Sequence, residues 1–235
     1  MPIKAVNCRH RDFLRDMSTD PACAGWIGFS KSRFEALTDG IFGIAMTLLV
    51  LGLSVPAVET IKTSTEIMEI LRSLFPDFVH YCIAFLLLHG MWVSHHGLSQ
   101  KMQFIDHRFL HLNSFLLLSV AVIPFSTSFA GDFPVSIIPA MVLEINLLAV
   151  GGILLAQWIY VASTRDLLRP GSREDDFSLA IPITAVIPAL SFCGIVAAML
   201  GSPWSMGIYL LAPPIIFVIK RINNMNGSEN SLSPV

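Results

Sequence analysis

Five long runs of this 235-residue chain hold almost no Asp, Glu, Lys or Arg, and the spacing of charge that results is its strongest constraint on fold. The runs are residues 40–58, 78–100, 109–131, 137–163 (broken only by Glu144) and 177–219. A bilayer core takes about 20 mostly apolar residues of helix, so each of the first four fits one crossing. The last run has 43 residues, which as a single helix would reach ~65 Å, and Gly201-Ser202-Pro203 is a turn signal that divides it. The expected fold is an all-α membrane protein with six transmembrane helices. Composition excludes a soluble alternative: 54% of residues are hydrophobic and 14% charged, against ~25% charged in globular domains. The net charge of −2 offers no basic excess for nucleic acid. Cys8, Cys23, Cys82 and Cys193 form no close pair, which argues against a disulfide framework or a cysteine-based zinc site.

Orientation follows from the 15 Lys and Arg residues. With six crossings, only Lys62 and Arg72 fall on one side, while the rest gather with both termini and the loops near 101–108 and 163–176. Positive loops stay inside, so both termini are expected in the cytoplasm of a cell bounded by this plasma membrane. Residues 1–32 read as a cytoplasmic segment without the apolar core of a secretory signal. Residues 33–221 read as the membrane domain and 222–235 as a disordered polar tail. Val55–Phe75 interleaves Glu59, Lys62, Glu66, Glu69 and Arg72 with Ile61, Ile67, Met68, Ile70 and Leu71. That pattern suits a short amphipathic helix on the outer surface.

The start of the first membrane helix is unusual. Arg33, Glu35 and Asp39 crowd its cytoplasmic end. Acids are favourable at a helix N-terminus, and Thr38 or Asp39 could cap one. Asp39 lies about a turn into the apolar region, however, where an unpaired carboxylate costs several kcal/mol. It should therefore face other helices and find partners there.

The stretch Arg33-Phe34-Glu35-Ala36-Leu37-Thr38-Asp39-Gly40-Ile41-Phe42-Gly43-Ile44-Ala45-Met46-Thr47-Leu48 resembles the opening of the first helix in the transmembrane protein 175 family of potassium channels. That family carries Phe-Ser-Asp where this chain has Leu37-Thr38-Asp39. Trp92-Val93-Ser94-His95-His96 resembles its Trp-x-x-His-His at the end of helix two. Asp106, Leu110, Leu112 and Asn113, then Pro124-Phe125, resemble helix three. Gly97 and His111 depart from the usual Arg and Trp, and the likeness runs over about residues 33–130.

The resemblance implies a potassium-over-sodium cation channel, with a single six-helix repeat assembling as a homotetramer in the lipid bilayer. It implies no cofactor, only K+ as permeant ion. The first helix would line the pore, Ile44 forming the tightest apolar ring, Leu48 and Leu51 further rings, and Thr47 a nearby hydroxyl. Such a constriction can gate by dewetting. At about 100° per residue, Leu37, Ile44, Leu48, Leu51 and Val55 do share a sector of about 60°, with Thr47 on its flank. The helix is apolar on every face, so this stripe alone does not separate a pore from packing. Arg33, Thr38, Asp39, His95 and Asn113 would form a supporting network that fixes the rotation of the first helix.

Three other features bear on function. Six of the seven histidines lie between His80 and His111, with His89 and His96 seven apart and His107 and His111 four apart. Asp106 is the only carboxylate to complete such a cluster, so hydrogen-bonded or interfacial histidine is expected rather than a metal site. Glu144 is an acid within a later helix. It supplies the alternative of a proton-coupled secondary transporter, against the simpler expectation that it meets water or a neighbouring subunit. No Gly-x-Ser-x-Gly, His-Glu-x-x-His or phosphate-cradling loop is present, so no catalytic residue is assigned.

Overall fold

The structure is a computed structural model that describes residues 30–53, 63–133, 136–171, 174–201 and 205–230. The described residues are nearly all helical. In chain order they form α1 (Lys31–Leu48), α2 (Ser64–Ser73), α3 (Phe75–Lys101), α4 (His107–Asp132), α5 (Ile137–Ser163), α6 (Glu174–Met199) and α7 (Ala212–Asn230). Short 3-10 turns occupy Leu49–Gly52, Arg165–Leu167 and Ser205–Leu211.

Five stretches among the described residues are long and apolar enough to cross a bilayer: Lys31–Gly52, Ser64–Lys101, His107–Asp132, Ile137–Ser163 and Phe177–Met199. The expected break in the last run is visible, because Gly201 turns at φ 78°, a conformation glycine adopts without steric cost. Beyond it the expected sixth crossing is divided into a 3-10 turn and α7. Pro213 and Pro214 account for the division: they fit the first turn of α7, where backbone N–H groups lack helical partners anyway. The helix then runs to Asn230, past the point at which the sequence reading starts its polar tail.

The amphipathic segment is α2, opened by a reciprocal capping box between Thr63 and Glu66. Ile67, Met68 and Leu71 are exposed on it. Residues 55–62 of that expected helix lie outside the described residues.

α1 begins at Lys31 after Ser30, so Thr38 and Asp39 are interior residues and not caps. Phe34, Thr38, Phe42, Ala45 and Leu49 are buried at spacings of three and four, one stripe of the helix. That stripe packs against α3 and α4. α5 sits against α4 and α6, and Gly151 lets α6 come close: a Cβ there would lie 2.8 Å from Pro188 Cδ.

At the end of the bundle rich in basic residues, two loops are joined. Gln103 N donates to Leu167 O (2.7 Å) and Arg169 N to Lys101 O (2.9 Å). Lys31 Nζ donates to Ser99 O (2.6 Å) and Met102 O (2.7 Å), pinning the first turn of α1 to the same place.

Candidate functional site

α1 is anchored by a buried polar chain. Thr38, His95 and Asn113 are each 2% exposed or less and come from α1, α3 and α4. Asn113 Nδ2 donates to Thr38 Oγ1 at 3.1 Å. Asn113 Oδ1 lies 2.9 Å from His95 Nε2, so in this arrangement the imidazole proton sits on Nε2 and donates. The same oxygen accepts from Gln157 Nε2 on α5 at 3.4 Å. Phe34, Phe42 and Phe109 surround the His95 ring, with centroids 6.2, 6.3 and 6.4 Å away. Four helices are thus tied through one amide, and an apolar cage excludes water that would compete for its bonds.

Gln157 was missed by the sequence reading, although a buried polar amide in an otherwise apolar span is itself a signal of an interhelical hydrogen bond. The other two expected members stand apart. Asp39 is exposed on α1 and accepts from Trp92 Nε1 at 2.8 Å, and Trp92 stacks on His96 at 5.4 Å. Arg33 is exposed at the start of α1 and joins neither group among the described residues. Glu35, read from sequence as helix-start chemistry, accepts from Ser99 Oγ at 2.7 Å and lies 3.5 Å from Lys31 Nζ.

Away from that anchored face, α1 is bare. Ile44 is 60% exposed and Leu51 73%, with Leu37 and Leu48 also exposed. Thr47 is exposed between them, and its hydroxyl donates to Ile44 O at 2.8 Å, leaving the oxygen's lone pairs outward. One detail differs from the expected geometry. The helix tightens to 3-10 at Leu49, so Leu51 is reached at three residues per turn. Val55 lies outside the described residues.

Glu144 on α5 is 0% exposed, buried within the chain away from its open surface. Tyr209 Oη, from the 3-10 turn before α7, lies 2.5 Å from Glu144 Oε2 and 2.9 Å from Ser191 Oγ on α6. Gly194 leaves the room for this carboxyl, since a Cβ there would lie 2.4 Å from it. The histidines are dispersed: His95 belongs to the anchor, and His96 accepts from Gln100 Nε2 at 2.8 Å. Among the described residues no three of His, Cys, Asp and Glu converge as a metal-ligand set.

Residues 33–124, which carry the bare stripe and all of the anchor but Gln157, match the model of the family described as endosomal/lysosomal potassium channel TMEM175. A protein of Chamaesiphon minutus named a potassium channel is 32% identical over 139 residues, 58% of this chain and 68% of its own. The chain belongs to the TMEM175 family. A second relative, named a potassium channel of Streptomyces collinus, is 28% identical over 189 residues, 79% of this chain and 85% of its own. The crystal structure of a lysosomal potassium-selective channel TMEM175 homolog from Chamaesiphon minutus matches with a TM-score of 0.67 and 25% identity. That match covers 83% of this chain and 98% of the other, so the TMEM175 fold extends well beyond the stretch in which the sequence likeness was legible. TMEM175 proteins are ion channels, not enzymes, and the chain is a multi-pass membrane protein.

Proposed function

We propose that the chain is the subunit of a potassium channel of the plasma membrane, conducting K+ in preference to Na+ and working without a cofactor. In this reading four copies assemble around α1, each subunit crosses the membrane six times, and both termini lie in the cytoplasm. The observation that carries the pore assignment is the division of α1 into two faces. Thr38, held by Asn113 and His95, fixes one face to its own subunit. Ile44, Thr47, Leu48 and Leu51 project on the side that the subunit leaves uncovered.

An exposed Asp39 suits a surface that meets protein or water better than one that meets lipid tails. A Cβ at Gly40 or Gly43 would find nothing within 4 Å in the single subunit, leaving room there for something outside it. Ile44 then forms the narrowest ring, Leu48 and Leu51 flank it, and the Thr47 oxygen faces a partly dehydrated ion. Asp39 and Arg33 serve the junction between subunits rather than the ion.

The test is a reversal-potential measurement on purified protein in planar bilayers, with K+ opposite Na+. Unitary steps should reverse toward the K+ equilibrium potential. Ile44→Asn should raise unitary conductance and weaken K+/Na+ discrimination, because it wets the apolar ring. Conductance and discrimination both unchanged in that variant would remove Ile44 from the constriction. A monomeric mass in detergent would remove the tetramer.

A further inference from the structure

The 3-10 turn Ser205–Leu211, which precedes α7, leaves a gap in the bundle. Among the described residues α3 and α7 do not pack on one another, yet both line a groove of about 230 Å³. The 3-10 turn, α5 and α6 supply its other walls. Gly90 of α3, Gly151 of α5 and Ile187 of α6 set its depth, each near the midpoint of its helix. Close-packed interiors leave few voids larger than a water molecule. This one exceeds the ~150 Å³ of an apolar cavity that takes up benzene.

The wall selects an apolar occupant. Among the described residues no Asp, Glu, Lys, Arg or His lines the groove. Its three polar side chains are already engaged within the protein. Ser94 Oγ lies 3.0 Å from Thr184 Oγ1 and accepts from Trp158 Nε1 at 3.0 Å. Tyr209 Oη is in contact with Glu144 Oε2 and Ser191 Oγ. A bound water needs two to four polar partners, and these side chains leave none free. Pro213 and Pro214 stand in the first turn of α7, where N–H groups lack helical partners. Two donors that an apolar medium would leave unpaired are therefore absent.

The groove is continuous with the surface that lipid covers. Leu86 of α3 and Leu210 of the 3-10 turn line it while remaining 66% and 64% exposed. Exposed leucine near the midpoint of a membrane-spanning helix lies at the depth of the hydrocarbon core. No residue of α1 or α4 lines the groove, so it is separate from the bare stripe of α1. Gly90 keeps the space beside α3 open: a Cβ there would meet nothing within 4 Å.

We propose that this groove is a binding site for one acyl chain of a bilayer phospholipid, inserted between α3 and α7 against Met91, Leu154 and Ile187. The acyl chain fills the gap between the two helices and holds α7 to the bundle. The inference rests on the protein spanning a membrane and not on α1 lining a pore.

The experiment places the purified full-length protein in vesicles of phosphatidylcholine that carries a diazirine midway along one acyl chain. After irradiation the adducts are mapped by peptide mass spectrometry. Met91 and Leu154 line the groove at only 2% and 1% exposure, so lipid that merely surrounds the protein does not label them. Wild type should carry adducts at both. Gly90→Leu puts a side chain into the groove and exchanges glycine for a better helix former, so it should fold. Its adducts at Met91 and Leu154 should fall severalfold, while those on the outer faces of the spans stay. Gly152→Leu, equally free of contacts but outside the groove, should keep them. Wild type without adducts at Met91 and Leu154 refutes the site, whatever the variants do. Label at Leu86 would then mark a dry void, and no label there a groove covered by a neighbouring subunit. Adducts at Met91 and Leu154 that persist in folded Gly90→Leu refute it as well. Unitary K+ current from a protein unlabelled at those two residues would sink this inference alone. A labelled protein of monomeric mass would sink only the channel assembly.

Discussion

Asn113→Leu is the sharpest test of how α1 is held. The substitution keeps the size of the side chain and removes the amide that joins Thr38, His95 and Gln157. His95 Nε2–H and the Gln157 amide then lose their acceptor inside a cage of Phe34, Phe42 and Phe109. The Thr38 hydroxyl can turn to a helical carbonyl, so two orphans dominate. At about 1–3 kcal/mol for each buried unsatisfied group, and with some return from burying leucine, the loss should be about 2–4 kcal/mol. Unfolding of the purified protein in detergent by heat and by SDS reads this loss. The double variant Thr38→Val with Asn113→Leu should fall short of additivity by about 0.5–3 kcal/mol, since the two residues share one bond. In the proposed reading the anchor sets the rotation of α1, so the same single variant should also weaken K+/Na+ discrimination. A stability loss below about 1 kcal/mol, with discrimination retained, would refute the reasoning that this amide positions the helix.

Two further outcomes concern the Glu144 cluster. Glu144→Gln keeps an acceptor for Tyr209 and should leave unitary K+ current in place, as measured in planar bilayers; loss of ion flux together with proton-coupled uptake in liposomes would favour a transporter. Gly194→Ala should destabilise the protein by at least about 2 kcal/mol, the scale of overpacking in a close-packed core, because its methyl would collide with the Glu144 carboxyl. Adding Glu144→Ala should recover part of that loss in the same unfolding assay.

The helices were legible because charge-free runs report directly on burial in lipid, and Gly201 announced its turn. Less local features were not. Leu49–Gly52 contains no residue that distinguishes an α from a 3-10 turn, so the tightening before Leu51 left no mark in the sequence. The start of α1 was displaced because Ser30 caps it without a side-chain bond, while Thr38 and Asp39 looked like better caps. Thr38, His95 and Asn113 were named through the family resemblance, yet their order of bonding depends on three helices meeting. Asp39 was named through the same resemblance, but its own face turns it toward Trp92. Glu144 was expected near water because its position along α5 was readable. Its partner Tyr209, sixty-five residues away in a 3-10 turn, was not.

The latch at Lys31 has a mechanical meaning. The chain of residues 1–29 enters α1 at the residue whose ammonium grips the carbonyls of Ser99 and Met102. Those carbonyls belong to the last turn of α3 and the residue after it, where the chain is itself stitched to the turn after α5. A pull on the N-terminal segment is therefore shared with α3 and α5 before it can tilt α1. Glu35 braces the same joint through Ser99. Whatever is attached ahead of Lys31, a fusion tag or a bound protein, works against a stiff mount and not against a free lever arm.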